Sequence, residues 1–170
     1  MIIVATFCIA LLVFTTLIHY EVLRALTISL PAIAVPPRTK LIVVIFCAFF
    51  AHVAEIILYA LTIYVLARYI GLGSLGDVHH FSMSVVMYFS AETFTSLGYG
   101  DVIPSGDLRM LAGAEALNGL LLIGWSASYT YIAMERFWSD GDGEALEEVL
   151  PTRVARQRPR RQRHTSVFRR

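Results

Sequence analysis

Three long apolar runs dominate the hydrophobic pattern of this chain: Ile2 to Ile18, Leu41 to Ala67 and Met110 to Met134. At about 1.5 Å per residue, each is long enough as a helix to cross roughly 30 Å of hydrocarbon. The pattern therefore predicts three membrane helices. The first run lacks a basic leading segment and a small-residue cleavage site, so a retained helix is favoured over a signal peptide.

A fourth apolar stretch, Phe81 to Thr95, has a different length and predicts a different role. As a helix it reaches only about 20 Å, which is too short to span. The stretch is therefore predicted to be re-entrant, entering and leaving on the same side. Asp77 is the candidate N-cap of this short helix, after a glycine-rich turn over residues 71–76.

The distribution of basic residues supports this topology. With a re-entrant fourth stretch and a cytoplasmic C-terminus, twelve basic residues lie inside, and two, Arg68 and Arg109, lie outside. If Phe81–Thr95 also spanned, the split would be ten to four. The positive-inside rule favours three spans with the N-terminus outside.

Composition fits the membrane class. Of the 170 residues, 56% are hydrophobic, and the mean hydropathy is +0.64. Cys8 and Cys47 lie in apolar runs, so neither a disulfide nor a thiolate metal site is indicated. Eight of the 14 basic residues are arginines between Arg153 and Arg170. This tail either binds anionic lipid head groups or is simply solvated.

Prolines divide the segment between the first two runs. Pro31, Pro36 and Pro37 prevent one regular helix from continuing beyond about Leu30. The predicted fold is all-α, with three transmembrane helices, a short re-entrant helix and a loop that follows it.

That loop, Ser96-Leu97-Gly98-Tyr99-Gly100, carries the most specific chemistry in the chain. Irregular backbone at membrane depth is tolerated only where it is buried in protein or lines a water-filled path. Glycine adopts backbone angles closed to other residues, which allows successive carbonyls to point the same way. Four such loops would stack rings of oxygens that replace the hydration shell of an ion. Leu97 and Tyr99 would point away from that axis.

The stretch from Tyr88 to Pro104, with its aromatic pair, Glu92, threonine-rich helix end and Gly-Tyr-Gly-Asp, closely resembles the pore region of bacterial potassium channels. The resemblance covers roughly Leu41 to Trp138. The resemblance implies that the protein is a homotetramer in the cell membrane, and that it is not an enzyme and needs no cofactor. It also implies that residues 96–100 coordinate K⁺, the permeant ion.

Two features depart from that family. Ser96-Leu97 stands where a Thr-Val pair is usual, which keeps the hydroxyl but changes the packing behind the loop. The first span is an addition to the two of the minimal members. The chain is predicted to divide into three parts: an N-terminal helix and interfacial segment over 1–39, a pore domain over 40–138, and an acidic and then arginine-rich tail over 139–170. Within the pore domain, the prediction places the outer helix at 41–68, the pore helix at 81–95, the filter at 96–100 and the inner helix at 108–136.

Several side chains are predicted to support the filter. In similar channels the carboxyls matching Glu92 and Asp101 meet behind the filter and share a proton. The alternative is a solvated Asp101 and a locally bonded Glu92. Thr93 and Thr95 lie at the helix end and are further candidates for filter support.

Polar residues recur with helical spacing along the third span. The candidates for the cavity wall or for gating are Asn118, Gly119, Leu122 and Ser126. Asn118, Leu122 and Ser126 belong to a semi-polar stripe, which also includes Glu115 and Tyr129 and is predicted to face either the central cavity or the pore helix. Gly113, Gly119 and Gly124 either act as hinges or allow close helix packing.

His52 and Glu55 lie at membrane depth, where an ionisable residue suggests function. They form either a metal or proton site, or a structural hydrogen bond to Glu115, Asn118 or the pore helix. His79 and His80 are a weaker candidate of the same kind. Two other functions stay open: a weakly selective monovalent cation channel, and a membrane metal-binding sensor. No feature indicates a nucleic-acid partner.

Overall fold

The computed structural model describes residues 1–76 and 81–156. Its helices are α1 (Ile2–Ser29), α2 (Pro37–Val65), α3 (Met83–Phe94) and α4 (Leu108–Arg156). The described residues contain no strand, only one isolated bridge between Leu75 and Pro104. Three segments in this part of the chain are long and apolar enough to cross a membrane: Ile2–Ala32, Arg38–Ile70 and Leu108–Phe137. The predicted all-α membrane fold with three spans is confirmed.

Prolines set the break between α1 and α2, as predicted. Helix α1 ends at Ser29 and passes into a 3₁₀ turn over Leu30–Ala32, which contains Pro31. Pro37 begins α2. A proline is well suited to the first position of a helix because its missing N–H would have had no intrahelical partner there.

The turn after α2 is hydrogen-bonded to the segment that follows residues 96–100. A π-helical turn over Leu66–Ile70 ends at Gly71, whose φ is +72°. Ser74 and Ser105 are joined through their hydroxyls at 2.8 Å. A Cβ on Gly73 would lie 2.2 Å from the carbonyl oxygen of Ser105, so only glycine permits this approach.

The re-entrant helix α3 begins later than predicted. Ser82 is its N-cap, and the Ser82 hydroxyl accepts a hydrogen bond from the backbone N–H of Val85 at 3.4 Å. Asp77, the predicted cap, lies outside the described residues. The helix spans 12 residues, too few to cross a bilayer.

The three spans and α3 pack around a common apolar core, and the three spans share a second, smaller cluster around Leu26 and Val44. Helix α1 contacts both α2 and α4, and α3 is held between α2 and α4. The fully buried members come from all four helices and include Val4, Tyr59, Phe94 and Leu111. The added first span is therefore part of the subunit core.

The N-terminus lies beside the start of α4. The amino group of Met1 lies 2.6 Å from the Asp107 carboxylate, next to the start of α4. The N-terminus is thus on the same side of the bundle as the segment that follows residues 96–100. Helix α4 continues to Arg156, beyond the predicted inner helix 108–136, while the part of α4 that is apolar enough to cross a membrane is Leu108–Phe137. Helix formers such as Glu144, Ala145 and Leu146 favour this extension.

Candidate functional site

The loop after α3 has an alternating backbone. Ser96, Gly98 and Gly100 have φ angles of +56°, +56° and +80°, whereas Leu97 and Tyr99 between them are not in this left-handed region. Glycine reaches such angles without strain. Ser96 is the one non-glycine residue with positive φ in the described chain. It is held there at a cost of order 1–2 kcal/mol.

Three successive N–H groups of this loop point toward the same residue. The N–H groups of Leu97 and Gly98 donate to the Glu92 backbone carbonyl at 2.8 and 3.3 Å. The N–H of Tyr99 donates to Oε2 of the Glu92 side chain at 3.1 Å. Glu92 therefore gathers consecutive donors on one side of the loop.

The direction of the carbonyls follows from this. In a trans peptide the C=O of one residue is antiparallel to the N–H of the next. The carbonyls of Ser96, Leu97 and Gly98 therefore point away from Glu92 and α3. An ordinary strand alternates its carbonyls between two sides. This loop instead presents consecutive carbonyls on one side, which suits a cation losing its water shell.

The side chains of the loop lie on the subunit surface. Leu97 and Tyr99 are 58% and 69% exposed in the single chain. The Tyr99 ring is parallel to that of Tyr88, with centroids 6.5 Å apart. The hydroxyl of Tyr88 donates to Oδ1 of Asp101 at 3.2 Å. Partial desolvation and the neighbouring Asp101 carboxylate raise the pKa of Tyr88 to about 12.

The hydrogen bonds of Glu92 and Asp101 match the alternative of a locally bonded Glu92 more closely than the predicted shared-proton pair. Each carboxylate has its own partner, Glu92 the Tyr99 N–H and Asp101 the Tyr88 hydroxyl. The physical reason is that the Tyr99 N–H needs an acceptor, and a carboxylate on α3 supplies a strong one. Among the described residues, the structure connects the two acids through the stacked tyrosines Tyr88 and Tyr99, and no direct bond joins them.

Thr93 and Thr95 shape the end of α3 just before the loop. The Thr95 hydroxyl donates to the Ala91 carbonyl at 2.8 Å, and the N–H of Ser96 donates to the Thr93 carbonyl at 3.0 Å. The Ala91 carbonyl also accepts the backbone N–H of Thr95 at 3.2 Å, and both contacts use carbonyls of the last helical turn. They stop the helix where the left-handed Ser96 begins.

The semi-polar stripe of α4 faces its own subunit. Asn118 is buried and donates to Thr15 Oγ1 at 2.7 Å and to the Tyr59 hydroxyl at 3.1 Å. Ser126 contacts His19, and Leu122 belongs to the apolar core. The interpretation of this stripe as a cavity wall is therefore wrong. Buried polar groups need partners, and helices α1 and α2 supply them here.

Gly119 packs against the end of α3. A Cβ at this position would lie 2.0 Å from the Phe94 carbonyl oxygen. At Gly113 and Gly124 a Cβ would meet nothing within 4 Å. Of the two alternatives for Gly119, the structure favours close packing.

Glu115 faces α3, the predicted pore helix, which is the second alternative for the semi-polar stripe. The Ser90 hydroxyl lies within hydrogen-bond distance of Oε1 of Glu115 and, at 3.0 Å, of the Ile56 carbonyl, and these two acceptors share its single proton. Oε2 of Glu115 is the one buried side-chain polar atom without a hydrogen-bond partner among the described residues.

His52 and Glu55 have a partner that sequence reasoning missed. Nδ1 of His19 and Nδ1 of His52 each lie 2.9 Å from the Glu55 carboxylate, on Oε1 and Oε2 respectively. The expected partners of His52 and Glu55, namely Glu115, Asn118 or the pore helix, are therefore wrong. His19 directly follows the first apolar run, and its polarity there was the available signal. His79 and His80 lie outside the described residues.

A re-entrant helix and a loop with one-sided carbonyls, set between two spans, define a membrane protein of the channel type. Residues 40–136, more than half of the chain, match the family described as "Ion channel". The chain belongs to this family. No curated protein and no solved structure was found to be similar to it.

Proposed function

We propose that this protein is a potassium-selective channel subunit that conducts K⁺ passively through a tetrameric pore. The observation that carries the proposal is the loop over residues 96–100. Its N–H groups at Leu97, Gly98 and Tyr99 turn toward Glu92, which leaves consecutive carbonyls on the opposite side. Rings of carbonyl oxygens are the means by which K⁺ filters replace hydration.

A tetramer is proposed because one loop cannot surround an ion. The chain contains a single loop of this kind, so ring closure requires several copies, most simply a cyclic homotetramer. The exposed side chains of Leu97 and Tyr99 are apolar and aromatic, and they lie on the surface that neighbouring copies would cover.

The C-terminal end of α3 supports cation binding. Unpaired carbonyls at a helix end carry partial negative charge. Four copies of Thr95, the C-cap of α3, would surround the inner side of the filter and favour a cation there. A carbonyl filter works passively, so the proposal requires neither a cofactor nor an enzymatic step.

The proposed location is a cell membrane, with the N-terminus and filter mouth outside and the C-terminus in the cytoplasm. The positive-inside count supports this orientation. The Met1–Asp107 contact is consistent with it, since both groups lie on one side. The arginine-rich tail would then face the inner leaflet, where anionic lipids attract basic residues.

Potassium flux into liposomes containing the purified protein tests the proposal. Gly98→Ala should abolish flux with assembly retained, because Gly98 has a φ of +56° and a Cβ disfavours that angle. Gly71→Ala is the matched control. Gly71 has a φ of +72° with nothing within 4 Å of a Cβ, so it carries similar strain outside the loop. Normal flux through Gly98→Ala would refute the proposal.

Weak selectivity among monovalent cations is the second candidate. Leu97 favours weak selectivity, because its side chain is larger than the valine usual at this position and alters the packing behind the carbonyls. Reversal potentials in mixed K⁺ and Na⁺ separate the two candidates. The two sides of the membrane receive the same total salt concentration but different proportions of K⁺ and Na⁺. A reversal potential close to the K⁺ equilibrium potential supports the selective filter, and a reversal potential near zero supports the weakly selective channel.

A further inference from the structure

A cluster of three metal-ligating side chains lies outside the filter. His19 from α1 and His52 and Glu55 from α2 each place one donor atom within 4.8 Å of the other two. His19 and Glu55 are fully buried, whereas the His52 side chain is 17% exposed. Nothing in the filter or its supports uses this cluster.

We propose that His19, His52 and Glu55 form an intramembrane binding site for a divalent transition-metal ion such as Zn²⁺. Two imidazoles and one carboxylate are a donor set that zinc accepts with an open fourth position. Each donor bonds its metal at about 2.0–2.2 Å. Tetrahedral coordination then separates the ligand atoms by about 3.4 Å, which side-chain adjustment within the present cluster achieves.

The Glu55 carboxylate already holds both rings in position. Its two oxygens lie 2.9 Å from Nδ1 of His19 and Nδ1 of His52. The same two nitrogens and either oxygen can turn their lone pairs to a metal when the ring protons move to Nε2. The ion therefore requires a tautomer change and small side-chain motions, without helix rearrangement.

Ser126 fits the role of orienting His19 in both states. Its hydroxyl lies 3.0 Å from Nε2 of His19. The hydroxyl donates to Nε2 when Nδ1–H bonds Glu55, and it accepts from Nε2–H when Nδ1 binds the metal. A histidine ligand usually donates its other N–H to such an acceptor, which fixes the tautomer.

Charge and surroundings favour occupancy by a cation. A buried carboxylate is costly in hydrocarbon without a compensating charge. The aromatic rings of Trp125 and Phe94 lie 5.5 Å from His19 and 5.8 Å from His52, measured between centroids, so aromatic rings flank the cluster. The partial exposure of His52 provides the route of access. Because ligands come from α1 and α2, the ion would clamp the added span to the pore domain.

Calorimetric titration of Zn²⁺ into the full-length, chelator-stripped protein in detergent tests the proposal. We expect one saturable Zn²⁺ per chain, a rise in Tm on binding, and tetrahedral Co²⁺ absorption when Co²⁺ replaces Zn²⁺. Ser126→Ala should weaken binding about 10–100-fold, and His52→Ala and Glu55→Gln should weaken it further. His52 is partly exposed, so its substitution is the variant best tolerated by the fold.

The double variant His79→Ala/His80→Ala is the matched control, and it should bind Zn²⁺ like the wild type. Absence of saturable binding to the wild type would overturn the proposal and leave the cluster as a proton-holding network only. The proposal would also be overturned if His52→Ala and Glu55→Gln both bound Zn²⁺ as the wild type does. Loss of Zn²⁺ binding in His79→Ala/His80→Ala alone would overturn it as well. None of these measurements depends on ion conduction, so they are independent of the channel proposal.

Discussion

The backbone N–H of Tyr99 donates to Oε2 of Glu92 at 3.1 Å, so a side chain of the re-entrant helix holds the loop that follows it. Glu92→Ala removes this acceptor without touching the carbonyl side of the loop. A hydrogen bond to a charged group contributes about 1.5–3 kcal/mol. We therefore expect the rate of current decay during steady opening to change about tenfold or more, with the K⁺ to Na⁺ permeability ratio nearly unchanged.

Single-channel recording of wild type and Glu92→Ala measures this effect. Glu92→Gln is the control, because its amide oxygen can still accept from the Tyr99 N–H and should give an intermediate decay rate. Open-state lifetimes that are identical in all three proteins would show that the Tyr99–Glu92 bond does not stabilise the conducting loop.

Close contact between Gly119 and the Phe94 carbonyl leads to a stability prediction. A Cβ placed 2.0 Å from that oxygen must push α4 away from α3. Gly119→Ala should lower the free energy of unfolding by about 1–3 kcal/mol. Gly124→Ala should be neutral or stabilising, because its Cβ meets nothing within 4 Å and alanine is the better helix former. Thermal unfolding in detergent compares them, and equal Tm values would contradict the packing role.

Asn118 connects three helices through Thr15 and Tyr59. Interhelical hydrogen bonds in membranes average about 0.6 kcal/mol each, so Asn118→Ala should destabilise the fold by about 1–2 kcal/mol. Thr15→Val keeps the side-chain shape and should lower the free energy of unfolding by roughly half as much as Asn118→Ala. The two effects should be non-additive in a double-mutant cycle measured by unfolding. Strict additivity would mean that this bond does not form in the membrane.

Truncation after Asp142 should leave a conducting pore with unchanged ion selectivity. The loop and α3 precede residue 138, and so does every contact that holds them in the part of the chain that the structure describes. The change removes eight arginines, so expression, orientation or lipid dependence should respond instead. Flux and reversal potential of the truncated protein in liposomes provide the measurement. An intact tetramer that has lost selectivity would assign the tail a role in the pore.

The sequence was sufficient for the spans, the re-entrant helix and the loop, because these depend on local properties. Run length decides whether a helix crosses a bilayer. Prolines decide where helices break, as at Pro31 and Pro37. Glycines at alternating positions, as at Gly98 and Gly100, permit a left-handed backbone wherever the chain carries them. None of these inferences needs a partner from elsewhere in the chain.

Partners of the buried polar groups were decided only by the tertiary structure. Helical spacing places Asn118 and Ser126 on one face of α4, but it does not state which neighbour that face meets. The packing of α1 against α2 and α4 turned this face toward Thr15 and His19 instead of a cavity. The same packing brought His19 to Glu55, across 36 residues of sequence. Such contacts depend on the rotation and crossing of whole helices, which are set by the sum of many side-chain contacts and by no local pattern.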